Sequence, residues 1–258
     1  MTVLRGAIAF GGNLGDPERS FQNACRLLAT HGINVDRISS TIRSQPMGPD
    51  AGSEFCNAAA TFHSPHSAHQ LLQILHTVEA ELGRTRDQHW GPRTIDLDLI
   101  CLDQQVIDTP QLVLPHPAFW YRRFVLQPLC EIDPDARHPI LKESSQQLLD
   151  RLLKRPLTVA VDLCRPENSR AESTLAELKL AIRQQFPQEK ILIQTAAEGS
   201  TSDAPTITIQ VVREDGPSEN RRQPRHEKGR IVRIALSSEN VVEQLITGVT
   251  SVIQAMLG

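Results

Sequence analysis

Aromatic side chains are scarce in this 258-residue chain, at 4% of the total, and the scarcity makes their placement informative. One Tyr, two Trp and seven Phe serve all aromatic packing and stacking, yet Trp90, Trp120, Tyr121 and Phe124 fall close together between 90 and 124. Cysteine is also sparse: residues 25, 56, 101, 130 and 164 are odd in number, widely spaced and contain no C-x-x-C. That pattern argues against a disulfide framework and predicts reduced, semi-buried thiols in a cytosolic protein. No apolar run approaches the ~18 residues of a membrane span, and the start, MTVLRGAIAF, passes too quickly into GGNLGD for a signal peptide. The expectation is a cytoplasmic protein without membrane contact. Net charge is only −3, so no global field favours nucleic acid or an anionic surface.

With 40% apolar and 22% charged residues, the composition excludes a fully disordered, collagenous or coiled-coil chain. Residues 3–10 form a short apolar run ending at Gly11-Gly12-Asn13-Leu14-Gly15. Asp16 and Pro17 then supply an N-cap and a first-turn proline, so the pattern predicts strand, tight loop, helix. Phe21, Ala24, Cys25, Leu27 and Leu28 keep helical spacing, Gly32 ends the helix, and a strand is expected at 33–35. Residues 44–53 are turn-rich, 57–62 can continue as a strand, and Leu71, Leu72, Leu75, Val78 and Leu82 predict a helix over 67–82. The alternation in 94–102 predicts the best strand of the chain.

The turn composition of DPDARHP, a short closing helix over 143–153 and the sequence Lys154-Arg155-Pro156 place a linker after residue 154. The expected organisation is a first domain over 1–154 and a second over 156–258. The second part predicts strand 157–163, helix 171–186, strands 190–196, 206–212 and 230–236, and helix 239–256. That β-α-β-β-β-α order suggests a compact two-layer α/β domain. It carries no nucleophile elbow, P-loop or metal-ligand spacing. Seven basic residues in 213–233 are interrupted by Glu214, Asp215, Glu219 and Glu227, with no aromatic to stack on a base, so a solvated loop is the favoured reading over a nucleic-acid site. A broad apolar stripe on the last helix, from Val241 to Met256, covers the sheet or a partner. An oligomerisation or protein-interaction role for 156–258 follows as an expectation.

Chemistry concentrates in the first part. Asp96 and Asp98 lie two apart in a strand, so their carboxylates leave one face while Ile95, Leu97 and Leu99 point to the other. Two parallel carboxylates on a rigid strand suit Mg²⁺ shared with substrate phosphates, although D-x-D also occurs on solvated strand faces. Arg84, Arg86 and Arg93 bring guanidiniums to the loop just upstream, where their forks match phosphate oxygens. His116 stands between Pro115 and Pro117, as a structural or a functional histidine.

Gly11-Gly12-Asn13-Leu14-Gly15, then Pro46 to Asn57, then Trp90-Gly-Pro-Arg-Thr-Ile-Asp-Leu-Asp98, Pro115-His116 and Arg122-Arg123-Phe124 resemble, in order and spacing, 6-hydroxymethyl-7,8-dihydropterin pyrophosphokinases of folate biosynthesis. The resemblance spans about residues 3–154. It implies an α+β fold with a ferredoxin-like α/β sandwich, and pyrophosphate transfer from ATP to the pterin hydroxymethyl group with release of AMP. Asp96 and Asp98 would hold two Mg²⁺ ions. Arg84 and Arg93 look like phosphate-neutralising arginines, with Trp90 on a loop that closes over the pterin. Glu79, Leu99, His116 and Arg122 look like ATP contacts. Phe55 and Phe124 look like rings sandwiching the pterin, Asn57 suits its polar edge, and Ser44, Gln45 and Met47 complete that pocket. This chain departs from the family at Gly12, where Ser is common, at Ser44-Gln45, where Thr-Pro is frequent, and at His89, where Arg is frequent. Gln111 and Val113 stand where some relatives carry polar nucleotide contacts. The competing expectation is a weak or inactive pterin and nucleotide sensor acting through 156–258.

Overall fold

The computed structural model describes residues 2–46, 52–84, 93–163, 169–195, 206–213, 230–236 and 240–258. The chain is a mixed α/β protein with six helices among the described residues, divided into two compact units: Met1–Leu149 with Gln254–Gly258, and Asp150–Ile253.

The first unit begins with β1 (Leu4–Gly12) and α1 (Pro17–Thr30). The Asp16 side chain accepts from the Arg19 amide at 3.1 Å, and Pro17 fills the first turn, where no intrahelical donor is needed. Strands β2 (Asn34–Ile38), β3 (Ile42–Ser44) and β4 (Phe55–Ser64) precede α2 (Ala68–Glu81). A reciprocal box of Ser67 and Gln70 caps α2: the Ser67 amide donates to the Gln70 side chain at 2.9 Å, and the Gln70 amide to the Ser67 hydroxyl at 3.4 Å. Then follow β5 (Asp96–Leu102), the two-residue pair β6 (Ile107–Asp108) and β7 (Val113–Leu114), α3 (Arg123–Ile132) and α4 (Ser145–Leu153). The sequence pattern did not predict α3. Pro128 lies inside it and no side chain caps its start, so neither helix signal is present.

Strands β2, β4, β1 and β5 lie side by side in that order, antiparallel, with β3 also on β4. Their register sorts side chains onto two faces. Ile8, Phe10, Ala58, Ala60, Phe62, Leu97 and Leu99 join Phe21, Ala24 and Leu28 of α1 and Leu71, Leu75 and Val78 of α2 in one core. Each fully buried Leu or Phe there contributes about 1.5–3 kcal/mol of transfer free energy, which holds β5 rigidly against the layer of helices. The opposite face carries Ala7, Ala9, Gly11, Asn57, Ala59, Asp96 and Asp98, and α3 packs against β4.

From Leu157 onward, β8 (Leu157–Asp162), α5 (Ser169–Gln185), β9 (Ile191–Thr195), β10 (Ile207–Arg213), β11 (Ile231–Leu236) and α6 (Val241–Leu257) follow the expected order. The four strands form a parallel sheet ordered β11-β10-β8-β9. Ile207 and Ile209 are buried, while Gln210, on the other face of β10, donates to Asp162 at 3.3 Å and accepts from Arg233 at 2.9 Å. On α6, Leu245, Val249, Val252, Ile253 and Met256 are buried along the predicted stripe. Among the described residues, no helix is long and apolar enough to cross a membrane.

Candidate functional site

The site starts from one cross-strand row. Gly11 of β1 pairs with Asn57 of β4 on one side and with Asp96 of β5 on the other, so all three belong to the same face. The next row is Ala59, Ala9 and Asp98. Asp96 and Asp98 therefore stand about 7 Å apart along β5, with only glycine and alanine beside them on β1. Their side chains keep 24% and 37% exposure, while Ile95, Leu97 and Leu99 are buried in the core. A Cβ on Gly11 would sit 3.7 Å from Asp96 Cβ and 3.8 Å from Asn57 Oδ1, so glycine keeps the floor between carboxylate and amide low.

Arg84 and Arg93 converge on Asp96. Arg84 Nη1 lies 2.6 Å from Oδ1 and Arg93 Nη1 2.6 Å from Oδ2. Arg84 is delivered by the end of α2, where Gly83 takes a φ of +80° and the Arg84 amide donates to the Glu79 carbonyl at 3.0 Å. The same guanidinium pairs with the Glu79 carboxylate, which is 2% exposed and also accepts from the Leu97 amide at 2.7 Å. Glu79 thus ties α2 to the peptide between the two aspartates. Burial raises its pKa above the ordinary carboxyl value, against the pull of the Leu97 amide and Arg84.

Asp98 faces one arginine and one histidine. Arg122 Nη1 is 3.8 Å and His116 Nε2 4.0 Å from Asp98 Oδ2. His116 Nδ1 accepts from the Ala118 amide at 3.2 Å, which leaves Nε2 as the protonated nitrogen of a neutral ring. Burial lowers the His116 pKa, opposed by the Asp98 charge. The Arg122 guanidinium also lies 5.7 Å from the centre of the Phe124 ring.

On the other side of Gly11, the buried Asn57 donates to Ser44 Oγ at 2.9 Å and to the Phe55 carbonyl at 3.3 Å. Gln45 donates to Glu54 at 2.7 Å. Phe55 and Phe124 are half-buried. Leu99 differs from Asp98: its side chain is buried in the core on the face away from Asp96 and Asp98. Met47, Arg86, His89 and Trp90 lie outside the described residues. At Gly12, a Cβ would come within 2.9 Å of the Thr94 carbonyl, which suits the residue found there. Sequence reasoning treated GGNLG as a turn and passed over Asn13, whose side chain bonds to both Ser53 and Arg93. Only the polar residue inside a glycine-rich turn signalled it.

The donor set fits a hard divalent cation. With no group of three His, Cys, Asp or Glu placed to hold an ion among the described residues, two carboxylates leave the remaining coordination to phosphate and water.

Comparison with known proteins finds relatives of this chain. Residues 7–134 match the family model of 7,8-dihydro-6-hydroxymethylpterin-pyrophosphokinase (HPPK). The 2-amino-4-hydroxy-6-hydroxymethyldihydropteridine pyrophosphokinase of Bacillus subtilis is 40% identical over 126 residues, 48% of this chain and 75% of the relative. The Pseudomonas aeruginosa protein of the same name is 38% identical over 141 residues, 53% of this chain and 85% of the relative. A bifunctional protein FolKE of Lactococcus lactis is 33% identical over 192 residues, 74% of this chain and 54% of the relative. A solved structure, wild-type Plasmodium falciparum HPPK-DHPS, aligns with a TM-score of 0.45 at 10% identity, over 82% of this chain and 65% of that one. With three quarters or more of two curated relatives covered at these identities, the chain belongs to the HPPK family.

Proposed function

We propose that Asp96 and Asp98 together hold two Mg²⁺ ions, and that Arg84, Arg93, His116 and Arg122 receive the triphosphate of ATP around them. The chain is a pyrophosphokinase: it transfers pyrophosphate from ATP to 6-hydroxymethyl-7,8-dihydropterin in folate biosynthesis. The pterin hydroxymethyl oxygen gives up its proton to water and forms a bond to the β-phosphorus, the bond from that phosphorus to the α,β-bridging oxygen breaks, and AMP leaves with that oxygen. When bound, the metal ions neutralise charge on the phosphate oxygens. The protein's part is to orient and exclude water. Arg84 and Arg93 exchange the Asp96 carboxylate for phosphate oxygens, with the buried Glu79 holding Arg84 in reach. Leu99 contributes to the ATP site through its backbone.

The acceptor pocket lies across Gly11 from the carboxylates. Asn57, with donor and acceptor on one amide, reads the pterin edge, Phe55 and Phe124 supply the stacking faces, and Ser44, Gln45, Met47 and Trp90 close the pocket. The observation that carries this reading is the row Asn57, Gly11, Asp96, which sets the amide and the first carboxylate on one face with only a glycine between them.

The antiparallel β2-β4-β1-β5 sheet backed by α1 and α2 supports a ferredoxin-like sandwich for residues 1–154. The parallel sheet with α5 and α6 supports a two-layer unit over 156–258, which we assign to oligomerisation or a protein partner in a cytoplasmic enzyme. Residues 1–154 alone are expected to keep the chemistry. The acceptor assignment is tested with two pterins, ATP and Mg²⁺. The 6-hydroxymethyl compound yields one AMP per pterin consumed and the 6-methyl compound, lacking the attacking oxygen, yields none. Equal AMP from both contradicts it.

A further inference from the structure

Asn13 joins three segments of the site. Its amide orientation is set by its neighbours, because the Arg93 backbone N–H can only donate and the Ser53 carbonyl can only accept. Oδ1 therefore takes the Arg93 amide at 2.8 Å, and Nδ2 donates to the Ser53 carbonyl at 3.1 Å. The backbone repeats both connections. The Asn13 N–H donates to the Arg93 carbonyl at 2.9 Å, and the Asn13 carbonyl accepts from Ser53 Oγ at 3.1 Å. The Leu14 amide adds a second donor to the Arg93 carbonyl at 3.2 Å. Asn13 is 9% exposed, so these bonds work in a water-poor setting where an unmade one is costly.

The two peptides held in this way lead to the two halves of the reaction. Ser53 stands just before Phe55 and Asn57 on the acceptor side, and Arg93 sends its guanidinium to Asp96 at 2.6 Å on the phosphate side. We infer that Asn13 is a positioning residue that sets Arg93 against the acceptor pocket, so that a movement of the Ser53 segment on pterin binding is felt at the Arg93 guanidinium. An aspartate can keep the acceptor for Arg93 but loses the donor to Ser53. An alanine loses both.

This rests on the reading of Arg93 as a phosphate-binding side chain, and a double-mutant cycle separates the two claims. Single-turnover rates with saturating ATP, Mg²⁺ and pterin are measured for the wild type, Asn13→Ala, Arg93→Ala and the double variant. The Asn13→Ala protein is expected to be slower by about 10- to 100-fold, the scale of a misplaced group near the chemistry. In the Arg93→Ala background the same substitution is expected to change the rate by less than about threefold, because the group it positions is gone. Asn13→Asp, closest in size, is expected to lie between wild type and Asn13→Ala in rate and to raise the KM for pterin, a split that loss of fold does not give. A full loss from Asn13→Ala in both backgrounds overturns the inference and leaves the role of Arg93 standing. A wild-type rate for Arg93→Ala overturns that role and the inference with it.

Discussion

Arg84 and Arg93 hold opposite oxygens of one carboxylate, each 2.6 Å from Asp96. The two arginines flank residues 85–92 in the sequence, and both pair with the carboxylate proposed above as a metal ligand. A metal ion binding Asp96 alone would have to displace two guanidiniums. One arriving with ATP meets phosphates that can take them over.

On the proposed metal site, metal binding without nucleotide is expected to be weak, and removing one arginine is expected to strengthen it. In a Mn²⁺ titration followed by electron paramagnetic resonance, Arg84→Ala is expected to bind Mn²⁺ several-fold more tightly than wild type without ATP, while its affinity for ATP falls. Each displaced charge-assisted contact is on the order of 1.5–3 kcal/mol before solvent screening, and the partial exposure of both partners reduces that. Unchanged Mn²⁺ affinity speaks against the competition.

Gly11 separates function from stability in a way most strand positions do not. An added methyl meets Asp96 Cβ at 3.7 Å and Asn57 Oδ1 at 3.8 Å, both ordinary contacts, so Gly11→Ala leaves the melting temperature within a few degrees of wild type. The methyl does rise between the Asn57 amide and the Asp96 carboxylate. Turnover is expected to fall at least ~10-fold, because substrate atoms can no longer reach their aligned positions. A fully active Gly11→Ala enzyme places the substrates elsewhere.

Thiol chemistry follows burial. Desolvation pushes the Cys101 pKa up to about 12, and it raises those of Cys25 and Cys56 as well. Below its pKa a thiol is protonated and unreactive, so at pH 8 Cys101 carries almost no thiolate. Iodoacetamide labelling followed by mass spectrometry is expected to modify the half-buried Cys130 before the buried Cys101, which reacts only after unfolding. Early labelling of Cys101 indicates that β5 opens.

Local signals made much of the first unit legible from sequence. Asp16 with Pro17 announced α1, the leucine spacing announced α2, and the alternation after Thr94 placed Asp96 and Asp98 on one face with Leu97 and Leu99 in the core. The family resemblance then supplied roles that spacing alone left open for His116 and the arginines. What stayed hidden was long-range or contrary to pattern. Pro128 masked α3, although its N-terminal Arg122 brings a cation to within 3.8 Å of Asp98. Nothing in the spacing of Glu79 showed its bond to the Leu97 amide, since that depends on how α2 lies against the edge of β5. The convergence of Arg84 and Arg93 on Asp96, and the bridging by Asn13, likewise exist only once the strands are paired.

The central claim is that the two strand carboxylates support pyrophosphate transfer. The most direct measurement follows ATP, Mg²⁺ and 6-hydroxymethyl-7,8-dihydropterin by phosphorus NMR with wild-type protein, Asp96→Ala and Asp98→Ala. The expected result is stoichiometric AMP and pterin pyrophosphate from wild type, and a rate about 10³-fold lower or more in both variants with their folds retained. Near-wild-type product formation by both folded variants contradicts the account.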